Sequence, residues 1–141
     1  MSEKVALSFS AISEALYTFP LPETDWVIGI GRGGVVPASL VAHQLQCGLI
    51  IVQLNYRDDD NNPSYEDPVW VRESLPDFTP DARILLVDDV SVSGKTLEAA
   101  KTRLADYQVL TFVLKGKADY VLFPDIKTCV NWPWKAVDYA I

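Results

Sequence analysis

The stretch "ILLVDDVSVSGKT", residues 84–96, puts two adjacent carboxylates, Asp88 and Asp89, at the end of an apolar run. Gly94-Lys95-Thr96 follows within the same stretch, and a helical pattern begins there. Carboxylates at the end of a strand accept hydrogen bonds from paired hydroxyls, such as the diol of a sugar. A glycine-rich turn entering a helix instead presents backbone N–H groups, and the positive end of the helix dipole, to an anion. Here Ser91, Ser93 and Thr96 add three hydroxyls to that turn. The acids repel phosphate and the turn attracts it, so a ligand suited to both has a diol at one end and a phosphate at the other. A phosphorylated ribose has that shape.

A second glycine turn, "GIGRGG" (29–34), also follows an apolar run. Alone it matches the Gly-x-Gly-x-x-Gly of a dinucleotide site, a weak signal. That site wants an acid ending the next strand, and "IIVQLNY" ends in Asn55 and Tyr56. A P-loop ending at Gly94-Lys95-Thr96 would need its first glycine at position 89, where Asp89 would aim charge at the phosphates. Adjacent aspartates are commonly a solvated turn or a helix cap; it is their conjunction with both glycine turns that points to a site.

The elements that must position these residues follow from periodicity. "SFSAISEALYTF" (8–19) has apolar residues at helical spacing, Ser8 or Ser10 as cap, and Pro20 and Pro22 as stops. "DWVIGI" (25–30) reads as a buried strand and "PASLVAHQLQ" (37–46) as a helix that Pro37 opens and Gly48 closes. "LIIVQLNY" (49–56), "RILLVDD" (83–89), "VLTFVL" (109–114) and "ADYVLFP" (118–124) read as strands, and "KTLEAAKTRLA" (95–105) as a helix. Between Arg57 and Pro80 the pattern dissolves, with only "VWVR" (69–72) strand-like. An irregular stretch that long in a small domain points to a functional loop or a disordered one. The aromatic tail after Pro124 has no clear period.

The order predicts a single domain over 1–141, with its core at 25–124, a mobile loop at 57–80 and a small C-terminal hood at 125–141. The expected fold is a three-layer α/β/α sandwich around a mainly parallel sheet of five to six strands. Both glycine turns follow strands at the carboxyl edge of that sheet and should face one cleft.

A net charge of −7 argues against a bulk nucleic-acid binder. One histidine, His43, and two distant cysteines, Cys47 and Cys129, argue against a zinc site. His43 and Cys47 read as packing residues, Trp26 as core, and Trp132 and Trp134 as a hood or a covering flap. With no run of membrane-spanning length and no signal-like N-terminus, a reduced, cytoplasmic setting is expected.

"ILLVDDVSVSGKT" resembles the phosphoribosyl-pyrophosphate (PRPP) signature of type I phosphoribosyltransferases, and "GIGRGGVVPASLVA" resembles that family's upstream pyrophosphate loop. The resemblance covers about residues 25 to 134. It implies that Asp88 and Asp89 contact the ribose hydroxyls, and that Ser91, Val92, Ser93, Gly94, Lys95 and Thr96 hold the 5-phosphate with Val90 beside them. It implies further that Arg32, Gly33 and Gly34 hold the pyrophosphate, and that magnesium arrives with PRPP near Asp88 and Asp89 rather than in a protein cage. The 57–80 stretch would close over the site.

The C-terminal third resembles the 6-oxopurine branch, nearest the xanthine/guanine enzymes. That implies Lys115 on the purine 6-oxygen, and Cys129, Val130 and Asn131 at the base, as part of the hood "CVNWPW" (129–134). The departures are Cys129 for an aromatic, Asn131 for an acid, and Val92 where that branch often carries an aspartate that serves as base. No catalytic side chain is therefore assigned. The implied activity is phosphoribosyl transfer from PRPP to a nitrogenous base, a 6-oxopurine, with release of pyrophosphate. The alternative is a weak or inactive relative that binds PRPP or a nucleotide as a regulator. Expected partners are small molecules, with neither nucleic acid nor membrane, in a homodimer or larger homo-oligomer.

Overall fold

The computed structural model describes residues 5–55, 69–72 and 75–135. Residues 57–68 and 73–74 of the predicted loop, and 136–141 of the predicted hood, lie outside the described residues.

Eight strands and three helices follow one another in these segments: β1 (Val5–Ala6), α1 (Phe9–Thr18), β2 (Trp26–Gly31), α2 (Val35–Leu45), β3 (Gly48–Asn55), β4 (Val69–Arg72), β5 (Arg83–Ser91), α3 (Lys95–Arg103), β6 (Gln108–Gly116), β7 (Tyr120–Val121) and β8 (Val130–Asn131). The main sheet has the order β4-β3-β2-β5-β6-β7. All of its pairings are parallel except β3 with β4 at one edge. The three-layer, mainly parallel α/β fold expected from the sequence is the one observed.

Side-chain alternation along each strand sorts the core into two layers. Val27, Leu85, Val87, Phe112 and Leu114 point to one face, where Ile12 and Leu16 of α1 and Ala38, Val41 and Ala42 of α2 cover them. Ile28, Ile30, Ile84, Leu86 and Val113 point to the other, under Leu97 and Ala100 of α3 and the following Leu104. Buried on both faces, β2, β5 and β6 can be apolar throughout. Phe112, fully buried, meets Phe19 edge-on at 5.6 Å and locks α1 to the sheet.

Several local details differ from the sequence reading. Ser8 does cap α1, accepting from Ala11 N–H at 3.0 Å. α2 starts two residues before Pro37, and it is closed by Gln46 in the left-handed conformation (φ 53°) rather than by Gly48. Gly48 opens β3 and lies against the Trp26 ring. His43 is exposed on the last turn of α2, where its side chain meets water and the negative helix end, so it is not a packing residue. The strand expected over 118–124 shrinks to Tyr120–Val121. The tail forms β8, which pairs parallel with β1 in a separate two-stranded sheet.

Chain order and sheet order together place the site. From β2 the chain steps outward to β3 and β4, then returns to β5 on the other side of β2 and proceeds to β6 and β7. The carboxyl ends of β2 and β5 therefore flank the point where strand order reverses, which is where α/β sheets open a crevice.

Candidate functional site

A cleft of about 690 Å³ opens at that point. Its lining includes Gly31 at the end of β2, Arg32 and Gly33 after it, every residue from Asp88 to Thr96, Lys115 at the end of β6, and Cys129, Val130, Trp132 and Lys135 from the tail. The two glycine turns thus face one space, as the sequence predicted. They touch: a Cβ on Gly33 would fall 2.5 Å from Asp89 Oδ1, so only glycine lets the first turn lie on that carboxylate.

β5 extends two residues beyond the expected end, which sets the acids within the strand. Asp88 Oδ1 accepts from Asp89 N–H at 2.8 Å, and Asp89 Oδ1 accepts from Val90 N–H at 2.7 Å. Burial pushes the Asp88 carboxyl well above the usual carboxylate range; the adjacent Asp89 charge pushes the same way, while the charge of Lys135 draws it back. Two carboxylates side by side at the foot of a cleft form a strong acceptor pair for hydroxyls.

The 91–96 turn has the glycine, the hydroxyls and the helix start that an anion site uses. Gly94, at φ 83°, takes the left-handed conformation that lets the chain turn into α3. Lys95 N–H donates to Ser93 Oγ at 3.3 Å, and the first turn of α3 borders the cleft through Lys95, Thr96 and Leu97. The Ser91 hydroxyl is buried and has no hydrogen-bond partner among the described residues. A buried hydroxyl in that condition costs stability unless a ligand oxygen completes it. Four cationic residues (Arg32, Lys95, Lys115, Lys135) and two acids (Asp88, Asp89) line the cleft, a cationic excess inside a chain of net charge −7.

The parallel register sets Lys115 beside Val90, which carries its lysine to the wall next to the acids. Cys129 is exposed and Val130 half-buried in the hood wall. Val92 is 69% exposed, an aliphatic side chain presented to the cleft with no polar atom. Two sequence candidates lie elsewhere. Gly34 is buried beneath its turn, donating to Ile30 O at 2.8 Å. Asn131 is exposed on β8 outside the lining, its carbonyl accepting from Leu7 N–H at 3.3 Å. Conversely, the sequence reading left Lys135 unassigned and gave Trp132 no definite place. Both reach the cleft because β1 and α1 hold the tail against the body. Val5 N–H donates to Cys129 O at 2.9 Å and Phe9 meets Trp134 at 6.0 Å. No group of three or more His, Cys, Asp or Glu converges as a metal cage among the described residues.

Residues 19–141 match the family described as the phosphoribosyl transferase domain. The chain is 35% identical over 116 residues to the xanthine-guanine phosphoribosyltransferase of Cereibacter sphaeroides, covering 77% of this chain and 67% of that one. It is 33% identical over 114 residues to the bifunctional protein PyrR of Ralstonia nicotianae, covering 74% and 64%. The chain thus spans about two thirds of the length of these curated relatives. Among solved structures, a hypothetical protein from Neisseria gonorrhoeae with bound ppGpp superposes with a TM-score of 0.74 at 25% identity, covering 98% of this chain and 92% of that one.

Proposed function

Since this chain belongs to the phosphoribosyl transferase family, we propose that it binds PRPP in the cleft and transfers the phosphoribosyl group to a 6-oxopurine, releasing pyrophosphate. The observation that carries the reading is the pairing of an acidic acceptor pair with an anion turn whose buried Ser91 hydroxyl lacks a partner, all within one cationic cleft. Asp88 and Asp89 accept the 2′- and 3′-hydroxyls of the ribose. Ser91, Ser93, Thr96 and the N-terminus of α3 take the 5-phosphate, with Lys95 adding charge. Arg32 and the Gly33 turn take the pyrophosphate, and Lys115 donates to the 6-oxygen of the base.

In that arrangement the bond from the ribose C1 to a pyrophosphate oxygen breaks and a bond from C1 to a ring nitrogen forms. The leaving group keeps the electron pair, and the proton on the attacking nitrogen departs to water, because Val92 offers no acceptor. The protein's share is to hold both partners in line and to stabilise the charge that grows on pyrophosphate. The paired carboxylates are hard oxygen donors that suit a magnesium ion carried in by PRPP, and such an ion supplies further charge neutralisation. A cytoplasmic, homo-oligomeric state belongs to the same proposal.

Calorimetry with PRPP, followed by a pyrophosphate-release screen over xanthine, guanine, hypoxanthine, adenine and uracil, tests it. Release with a 6-oxopurine is expected. PRPP binding with no release on any base favours a second reading, a nucleotide-binding regulatory relative. Two observations speak for that reading: Val92 in the cleft, and a structural neighbour solved with bound ppGpp. Failure to bind PRPP removes the transferase reading, and failure to bind ppGpp as well removes the second.

A further inference from the structure

Lys135 has a place in the site that neither its sequence context nor the family resemblance assigns. It follows the Trp132-Pro133-Trp134 run, and its N–H donates to Trp132 O at 3.2 Å. Trp132 is only 3% exposed and stacks on Trp134 at 5.3 Å with 5° between the ring planes. The backbone that carries Lys135 is therefore anchored to a stacked pair of which Trp132 is buried and Trp134 half-buried. The lysine side chain lines the cleft together with Asp88 and Asp89. The acids stand on β5 and the lysine on the hood, and all three residues line the same space of about 690 Å³.

PRPP is a polyanion, and its ribose and pyrophosphate must lie beside two carboxylates. Like charges at contact distance in a partly desolvated cleft repel strongly unless cations stand between them. A divalent ion arriving with the ligand is one source of that counter-charge. A resident ammonium ion on the hood is another, and it is covalently part of this chain. We propose that Lys135 supplies part of the counter-charge over Asp88 and Asp89 that a divalent cation would otherwise bring, so that this protein keeps hold of PRPP when magnesium is withdrawn. The inference rests on the reading that PRPP is the ligand.

The test is calorimetric titration with PRPP, in EDTA and in saturating magnesium, of the unmodified protein, Lys135→Gln and Lys135→Arg. Lys135 is exposed, so thermal melts of the three proteins should coincide. The unmodified protein is expected to weaken by about tenfold or less in EDTA. Lys135→Gln should lose a further factor of about ten in EDTA yet only about threefold or less with magnesium present, and Lys135→Arg should track the parent. An equal loss for Lys135→Gln in both buffers, no loss in either, or parental binding that vanishes in EDTA overturns the inference while leaving PRPP as the ligand. A parent protein that binds no PRPP even with magnesium overturns the functional reading and this inference with it.

Discussion

Asp88 sits where an ionised carboxylate is disfavoured by burial and by the Asp89 charge beside it. Its folded-state pKa lies above the unfolded value of 3.8, so the native protein binds that proton more tightly than the unfolded chain does. Stability from this residue is then fully present below the unfolded value and is lost as pH rises through the raised folded value. Asp88→Asn should melt above the parent near neutral pH, converge with it in acid, and bind PRPP much more weakly. Binding of inorganic pyrophosphate, which has no diol, should change little. Thermal melts from pH 4 to 8 decide the first part; a variant that follows the parental pH curve would show that Asp88 stores no such cost. Val92 carries the second prediction at this scale. General-base help is typically about 10²–10⁴-fold in rate, and valine can give none. Val92→Asp should raise transfer to 6-oxopurines without tightening PRPP, with the gain growing as pH rises through the pKa of the new carboxylate. Fast parental turnover with no gain from Val92→Asp, in steady-state assays across pH, would count against it. Gly94 belongs here too: a Cβ there meets no protein atom, so the need for glycine is its φ of 83° and the space that the proposed phosphate would take.

Among the elements, the central strands were the legible ones. "VIGI", "ILLV" and "TFVL" are apolar on both faces because helices cover both, and a run of that kind between turn residues reads as a buried strand from sequence alone. Asp88, Asp89 and Gly94 were legible for a related reason, since carboxylates and glycines at a strand end are out of place in a core. The hood was not. β1 and β8 are two residues each, too short for any period, and they pair across more than a hundred residues of sequence. Only that pairing shows that Asn131 turns away from the cleft while Trp132 and Lys135 reach it. Gln46 took the left-handed closing position of α2 that sequence would give to a glycine, because Gly48 is needed under the Trp26 ring. The hood pairing has a testable consequence. Val5 is more than a third exposed, so its side chain adds little packing, yet its N–H holds the Cys129 carbonyl. Val5→Pro removes that donor, a loss of about 0.5–1.5 kcal/mol at the strap. The KM for the base should rise several-fold while PRPP affinity with magnesium present, set chiefly by the 91–96 turn rather than by the hood, stays within about twofold. Quenching of the Trp132–Trp134 fluorescence by bound nucleotide should weaken in parallel. Equal losses for base and PRPP would mean that the strap supports the whole fold rather than the base wall.

At the scale of the whole molecule, charge decides whether a regulatory relative of this kind could act through RNA. The chain has twelve lysines and arginines against nineteen acids. Four of those cations line the cleft, and Arg83 is tied to Glu23 at 2.6 Å and to Asp25 at 3.0 Å, holding the Asp25 carboxyl down to about 2. A nucleic-acid binder instead spreads its cations over a face or stripe that follows the phosphate backbone, and its affinity falls steeply with salt as counterions are released. Here four of the twelve cations share one concave space sized for a small molecule, while the acidic excess on the rest of the chain repels a polyanion the size of RNA. PRPP should therefore bind in physiological salt and structured RNA should not. Filter binding with labelled RNA at about 150 mM salt, run beside PRPP calorimetry in the same buffer, measures both. Retention of RNA with a Kd of about a micromolar or below would place the working surface outside the cleft and would favour a regulatory protein over a transferase.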